Sequence, residues 1–190
     1  MKKGLIIMAS LITMLMGLLG HGKAHAKEYE LADVYRDLRQ QVLIAPPEKI
    51  GFTPTADNKL WGLLMETGYP EAVVTLVAIA DGTVSLYFSN GGGIIGIGEH
   101  ENARKASNDL LAAAPKFIVQ ASLTKDFPLP SEGHARFYFL TSDGTYTVEA
   151  KEDDLGYNRS PLSSLFYKAQ ELITQARIVE QNREKGVRPQ

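Results

Sequence analysis

The distribution of apolar and polar residues along the chain predicts a helix followed by a strand. From position 28 to about 44, apolar residues recur at helical spacing between charged residues. Pro46 and Pro47 end this helix, because neither can donate a backbone N–H and each disfavours helical angles in the residue before it. The short apolar run from Leu60 to Glu66 then predicts a strand. Glu66 is expected at an exposed end of this strand, and a buried acid with a raised pKa is the alternative.

Two hairpins with Asp-Gly turns are predicted further along the chain. Residues 73–80 are apolar at almost every position and rich in β-branched side chains, which is typical of a strand covered on both faces. Asp81-Gly82 supplies the positive-φ positions of a tight turn, and residues 83–89 then alternate between apolar and polar side chains. Residues 135–150 repeat the same arrangement around a second Asp-Gly turn. We therefore expect two antiparallel pairs of strands.

Two more helices are predicted, one after each hairpin. Apolar residues from Ala103 to Ala121 mark the first of them, and Pro115 should kink or split it near residues 112–114. Ser160-Pro161 combines a capping side chain with proline at the first helical position. The longest helical stripe of the chain follows and continues to Val179.

These elements predict a single α+β domain over residues 27–180, with helices packed on a mainly antiparallel five-stranded sheet. Residues 122–133 and the acidic stretch 152–154 are predicted as loops, and residues 181–190 as a polar, frayed tail. The order α-β-β-β-α-β-β-α resembles that of the profilin, longin and roadblock group of folds. The resemblance is one of element order without a shared motif, and it implies a domain that binds partners.

The N-terminus has the features of a secretory signal peptide, residues 1–26. Lys2 and Lys3 precede an apolar run from Leu5 to Leu19, and the segment ends in Ala24-His25-Ala26. The apolar run is short for a membrane span, which needs about 20 residues. We expect cleavage after Ala26 and export to the periplasm or the exterior, and an uncleaved membrane anchor is the alternative.

Composition narrows the classes of function. Removing residues 1–26 takes away three lysines and no acidic residue, which leaves 17 basic and 22 acidic residues and a net charge of −5. This balance argues against a nucleic-acid binder or a protein of anionic membranes, since both need a basic surface. The chain has no cysteine, which excludes disulfides, thiol chemistry and a cysteine-linked lipid anchor, and fits a bacterial exported domain that relies on its core.

A glycine-rich loop between the first hairpin and the next helix is the main candidate site. Residues 91–96 formally match the dinucleotide pattern G-x-G-x-x-G. The pattern belongs to a parallel strand–helix–strand unit, whereas the strand here is part of a tight hairpin, and Glu99 and Glu101 would repel a phosphate. We therefore predict no nucleotide cofactor. The glycines instead allow a folded-over loop, with Ile94, Ile95 and Ile97 directed into the core.

The small side chains and free backbone N–H groups of this loop predict a recognition surface for a protein partner or a small ligand. The leading hypothesis is a non-enzymatic binding domain, and a scaffold or an inhibitor of another protein is also open. The surface is predicted to consist of Ser89, Asn90, Gly91, Gly92, Gly93, Gly96, Gly98, Glu99 and His100.

A small hydrolase is the alternative function, with Ser89 as nucleophile, His100 or His134 as base, and a carboxylate. Ser89 and Gly91 resemble half of a nucleophile elbow, but Tyr87 stands where the motif requires its first glycine. A zinc site would need both histidines and Glu99 from separate segments without a recognisable ligand spacing. No metal or other cofactor is predicted.

Overall fold

The computed structural model describes residues 29–55 and 59–186, and the fold in this part of the chain is α+β, with one antiparallel sheet. The helices are α1 (Asp33–Ile44), α2 (Glu101–Ala113), α3 (Glu152–Gly156) and α4 (Ser163–Glu184). The strands are β1 (Leu60–Gly68), β2 (Val73–Ile79), β3 (Val84–Phe88), β4 (Gly93–Ile94), β5 (Ser122–Thr124), β6 (His134–Thr141) and β7 (Gly144–Lys151). Short 3-10 segments cover Pro47–Ile50, Ile97–Glu99 and Ala114–Gln120.

The two ends of the chain are described only in part. The predicted signal peptide, residues 1–26, lies outside the described residues. Helix α4 runs through the first four residues of the predicted tail, and residues 187–190 also lie outside the described part. Among the helices that the structure describes, none is both long and apolar enough to cross a bilayer.

The sheet has seven strands in the order β4-β3-β2-β1-β6-β7-β5. Strand β1 is central and pairs antiparallel with β2 on one side and with β6 on the other. The predicted count of five strands is wrong, because β4 and β5 form the two edges. These strands have two and three residues, too few for an alternating pattern to distinguish them from loops.

Two layers of helix cover the two faces of the sheet. On one face, α2 and α4 pack against a large apolar core that includes Leu63, Leu76 and Phe137. On the other face, α1 packs against a smaller core that includes Trp61 and Tyr138. Because successive strand residues point to opposite faces, β1 supplies both cores, which explains its nearly continuous apolar sequence.

The helix boundaries follow from proline and from charged residues near the helix ends. Helix α2 ends at Ala113 and a 3-10 segment containing Pro115 continues from it, which confirms the predicted split. The acidic stretch 152–154 was predicted as a loop but opens α3, where three carboxylates favour the positive end of the helix dipole. Helix α4 begins at Ser163 rather than at Ser160, whose hydroxyl accepts the backbone N–H of Leu162 in the preceding turn.

Candidate functional site

The glycine loop, residues 90–99, folds back along the outer edge of β3. Phe88 accepts a hydrogen bond from the N–H of Gly91 and donates its own N–H to the carbonyl of Gly92, which closes a tight turn. Strand β4 then pairs with β3 at Gly93–Tyr87 and Ile94–Leu86. The glycine loop therefore forms one edge of the sheet.

Side chains from the loop and from α4 hold this path in place. Ile94 and Ile97 are buried in the larger core, as predicted. Ile95 was also predicted to be buried, but 65% of its surface is exposed. Arg183 of α4 donates hydrogen bonds of 2.9 and 3.4 Å to the carbonyls of Ile95 and Gly96. The loop thus presents one apolar side chain from a backbone that is fixed on both sides.

Two glycines are required by close approach of the backbone. A Cβ on Gly98 would lie 1.8 Å from the carbonyl oxygen of Gly82 in the first hairpin turn. Gly91 has a φ of +100°, and its Cβ would lie 3.1 Å from that of Ala32 just before α1. The loop is therefore packed against the hairpin turn at one end and against the segment that enters α1 at the other.

The residues predicted for the recognition surface do not converge on one point. Ser89 and the first three glycines lie at the end of β3, whereas Gly98 packs on the hairpin turn at its beginning, followed directly by Glu99 and His100. Five residue steps of an extended strand separate these groups by about 16 Å. The surface is a line along the sheet edge rather than a concave pocket.

Ser89 has a structural role in this arrangement. The side chain is 1% exposed, and its hydroxyl accepts the backbone N–H of Val73 at 2.9 Å. His100 lies at the far end of β3. His134 lies at the same end of the sheet as Ser89, but three strands across from it, a separation of about 14 Å. Neither of these two histidines is within hydrogen-bond reach of the hydroxyl, so Ser89 forms no Ser–His pair with His100 or His134.

His134 instead places its Nδ1 atom 3.0 Å from the carbonyl of Glu132. Within the part of the chain that the structure describes, no three His, Asp or Glu side chains are grouped so as to hold a metal ion.

No protein-family model matches the chain, and no curated protein or solved structure matches it either.

A row of polar side chains crosses the sheet beneath α1. This row was not predicted from the sequence. Thr75, Glu66, Arg136 and Glu149 stand directly opposite one another on β2, β1, β6 and β7. Glu66 was predicted at an exposed strand end but is fully buried. The reason is Arg39 of α1, which donates two hydrogen bonds of 2.6 and 2.8 Å to its carboxylate.

The neighbours of this ion pair complete its hydrogen bonding. Thr75 donates to Glu66 at 3.2 Å and shares a 2.8 Å hydrogen bond with the hydroxyl of Tyr35. Arg39 donates a third bond, 2.9 Å long, to the carbonyl of Phe127 in the loop before β6. Burial, together with the charge of Glu66, raises the pKa of Tyr35 well above its usual range.

Further along the row, Arg136 and Glu149 form a second, partly buried ion pair. Tyr138 donates its hydroxyl to the carbonyl of Pro128, and burial raises its pKa as well. Each carboxylate of the row is therefore neutralised by an arginine, and the tyrosines stay protonated at neutral pH. The row binds α1 and the 125–133 loop to the sheet.

Proposed function

We propose that the protein is an exported, non-enzymatic domain that binds a polypeptide partner along the glycine loop. The observation that carries this proposal is the exposed Ile95 on a backbone held by Arg183 and by two buried isoleucines. Because the backbone that carries Ile95 is already ordered, burying this side chain against a partner costs little conformational entropy and stabilises the complex.

The backbone beside Ile95 adds a polar component to this surface. In an antiparallel ladder, alternate residues direct their N–H and C=O groups away from the neighbouring strand. Phe88 is hydrogen-bonded to Gly92, so the next residue, Gly93, has its N–H and C=O on the outer side of the sheet. Asn90 to Gly93 are exposed, and the three glycines have no side chains to cover the backbone. An extended partner segment can therefore approach it closely.

The linear layout favours a polypeptide over a small molecule. The predicted contact residues extend along about 16 Å of sheet edge, which is the length of a partner strand of about five residues. Ligand sites for small molecules are concave and surround their ligand, whereas this edge is open. The element order predicted from the sequence resembles that of the profilin, longin and roadblock group and also favours a partner-binding role, although the structure adds β4, β5 and α3 to that order.

The test compares two exposed apolar residues at opposite edges of the sheet. Ile95→Asp adds a charge to the glycine loop, and Val119→Asp adds one to the 80% exposed Val119 next to β5. Wild type and both variants, expressed without residues 1–26, are immobilised and exposed to the envelope fraction of the source cells. Retained polypeptides are then quantified by mass spectrometry against bare resin.

We expect one or more polypeptides to be retained by wild type and by Val119→Asp, and to be reduced at least tenfold with Ile95→Asp. Equal retention by Ile95→Asp would contradict the assignment of the surface. Retention no greater than on bare resin would contradict the partner-binding function itself. The export component is tested separately, by the mass of the protein recovered from the envelope fraction, which cleavage after Ala26 would reduce by residues 1–26.

A further inference from the structure

Gly93 determines where a partner strand can pair with the edge of the sheet that the glycine loop forms. Of the two residues of β4, Ile94 pairs with Leu86, and Gly93 directs its N–H and C=O away from β3. The next outward carbonyl on this edge, that of Ile95, is already bonded to Arg183. In an antiparallel ladder, one partner residue exchanges both backbone hydrogen bonds with the residue opposite it. The register of an antiparallel partner is therefore set by the residue opposite Gly93.

The side chain of that partner residue would stand beside a position where β4 has no side chain. Residues directly opposite each other in an antiparallel ladder point to the same face of the sheet. Gly93 stands opposite Tyr87, whose side chain belongs to the smaller core beneath α1. A Cβ on Gly93 would lie 3.6 Å from Cδ1 of the Tyr87 ring. The partner side chain would thus lie on the α1 face, with only the empty glycine position between it and this ring.

Two exposed apolar side chains flank the empty glycine position. Ile95 lies two residues after Gly93, on the same face by strand alternation, and is 65% exposed. Val34 of α1 is 52% exposed, and its Cγ1 atom lies 3.9 Å from the position that a Cβ on Gly91 would take, two residues before Gly93. The flanks therefore stand at the two diagonal positions of the ladder, about 7–8 Å from the partner residue, a separation that aromatic side chains can span.

Each flank also carries an ion pair. Asp33 and Arg36 are 2.9 Å apart at the start of α1, and Arg183 and Glu180 are 3.7 Å apart at the end of α4. Because both signs of charge are present on each side, neither flank favours a charged partner side chain. A charge placed between the two apolar flanks would lose water without compensation.

From these observations we infer that the polypeptide partner is an extended segment that pairs antiparallel with β4 and places an uncharged aromatic side chain opposite Gly93. The ring covers the empty glycine position and contacts Val34 on one side and Ile95 on the other. An aromatic residue opposite a glycine of an edge strand also pins the register of the pairing. This inference rests on the proposed function, since it names the contact residue of the same partner.

A matched pair of extended peptides tests the aromatic contact directly. The probe is the peptide KTTFTTK with blocked ends, whose threonines favour an extended backbone, and the control is KTTATTK. The protein without residues 1–26, labelled with ¹⁵N, is titrated with each peptide. The backbone amide resonances of Gly91, Gly92 and Gly93 report on the edge. Because the peptides differ only in the central side chain, a difference in affinity measures the ring.

KTTFTTK should shift the three glycine resonances in a saturable manner. KTTATTK should bind at least about tenfold more weakly, because the burial of a phenylalanine side chain is lost. Absence of a saturable shift with KTTFTTK would overturn the inference. Equal affinities of the two peptides would overturn it too, since the ring would then contribute nothing.

Three substitutions of exposed apolar residues locate the ring. Val34→Ala and Ile95→Ala each remove one flank and should weaken the binding of KTTFTTK at least about threefold. Val119→Ala, at the opposite edge of the sheet, should leave it unchanged. If all three variants bound KTTFTTK as wild type does, the contact with the flanks would be wrong. The backbone amide spectrum confirms that each variant is folded.

The peptide titration and the capture from the envelope fraction can fail independently. If Ile95→Asp reduces the retained polypeptides but KTTFTTK does not bind, the partner-binding function stands and the aromatic contact is wrong. If KTTFTTK binds as expected but no polypeptide is retained, the edge has the inferred preference and the partner-binding function is wrong.

Discussion

The buried ion pair between Arg39 and Glu66 predicts a large loss of stability when the arginine is removed. Arg39→Met keeps most of the aliphatic stem but leaves the fully buried Glu66 carboxylate with Thr75 as its remaining hydrogen-bond donor. Breaking a buried pair by removing one partner costs roughly 3–5 kcal/mol. Since part of the Arg39 side chain reaches solvent, we expect a decrease in the free energy of unfolding near the lower limit, about 3 kcal/mol.

The double variant Arg39→Met/Glu66→Leu separates charge from packing. With both charges gone, no unpaired ion is buried, and stability should return to within about 1 kcal/mol of wild type. Thr75 and Tyr35 keep their mutual hydrogen bond in both variants. Urea unfolding at neutral pH, followed by circular dichroism, gives the free energies by linear extrapolation.

Arg36→Met is the matched control on the same helix. Arg36 pairs with Asp33 at the surface, where the two side chains are 58% and 91% exposed, so its removal should cost less than about 1 kcal/mol. If Arg39→Met lowered the free energy of unfolding no more than Arg36→Met does, the Glu66 carboxylate would not be buried and dependent on Arg39 as described. If the double variant were as unstable as the single one, the cost would come from the lost bond to the Phe127 carbonyl rather than from an unpaired charge.

Two more predictions concern the glycine loop and two tyrosines whose pKa values are raised. Gly98→Ala should lower the free energy of unfolding by about 1–3 kcal/mol, measured by thermal unfolding, because the new methyl group would lie 1.8 Å from a backbone carbonyl oxygen. The control is Gly156→Ala, whose methyl group would have no neighbour within 4 Å and should leave stability unchanged. Equal effects of the two substitutions would refute the contact. Burial and the nearby Glu152 raise the pKa of Tyr69 to about 12, and burial also raises that of Tyr35. The tyrosines of the unfolded chain ionise at lower pH than those of the folded protein, so the free energy of unfolding should be at its full value below pH 10 and should fall as the pH rises towards about 12. The midpoints of urea unfolding measure this loss. We expect a smaller loss in Tyr35→Phe and an unchanged loss in Tyr157→Phe.

The hairpins were predictable because their information is local. The Asp-Gly turns and the apolar runs beside them determine pairing between neighbours in the chain, and the structure confirms antiparallel pairing of β2 with β3 and of β6 with β7. Pro115 likewise acts on its own turn of helix. The edge strands β4 and β5 were not predictable in this way, since two or three residues form a strand only when a neighbour offers them a ladder.

The polar row could not be found from local pattern because its partners are distant in sequence. Glu66 stands at the end of an apolar strand, and nothing near it in the chain indicates an arginine above it. Arg39 comes from the preceding helix, and the Phe127 carbonyl lies 88 residues beyond Arg39. A glutamate within an apolar run on a central strand was the one available signal, since burial there requires a cation.

The candidate site was predicted in location but not in shape. The glycines indicated a loop with unusual backbone angles, and Gly91 and Gly96 do have positive φ. Three isoleucines within four positions gave no basis for deciding which one faces solvent. That choice depends on Arg183, which fixes the carbonyl of Ile95 from the far end of the chain.

The central position of β1 has a consequence for the way the chain folds. Strands β1, β2 and β3 follow one another and can pair locally, but β6 lies beyond α2 and β5 in the chain and must close a long loop to reach β1. Until then, β1, which is buried at every position in the native sheet, is an open edge with unpaired backbone groups. Such non-local pairing is slow, and an exposed apolar edge recruits other chains. We therefore expect refolding yield to fall steeply with protein concentration, and substitutions that delay β6 to cause aggregation before they reduce the stability of the native state.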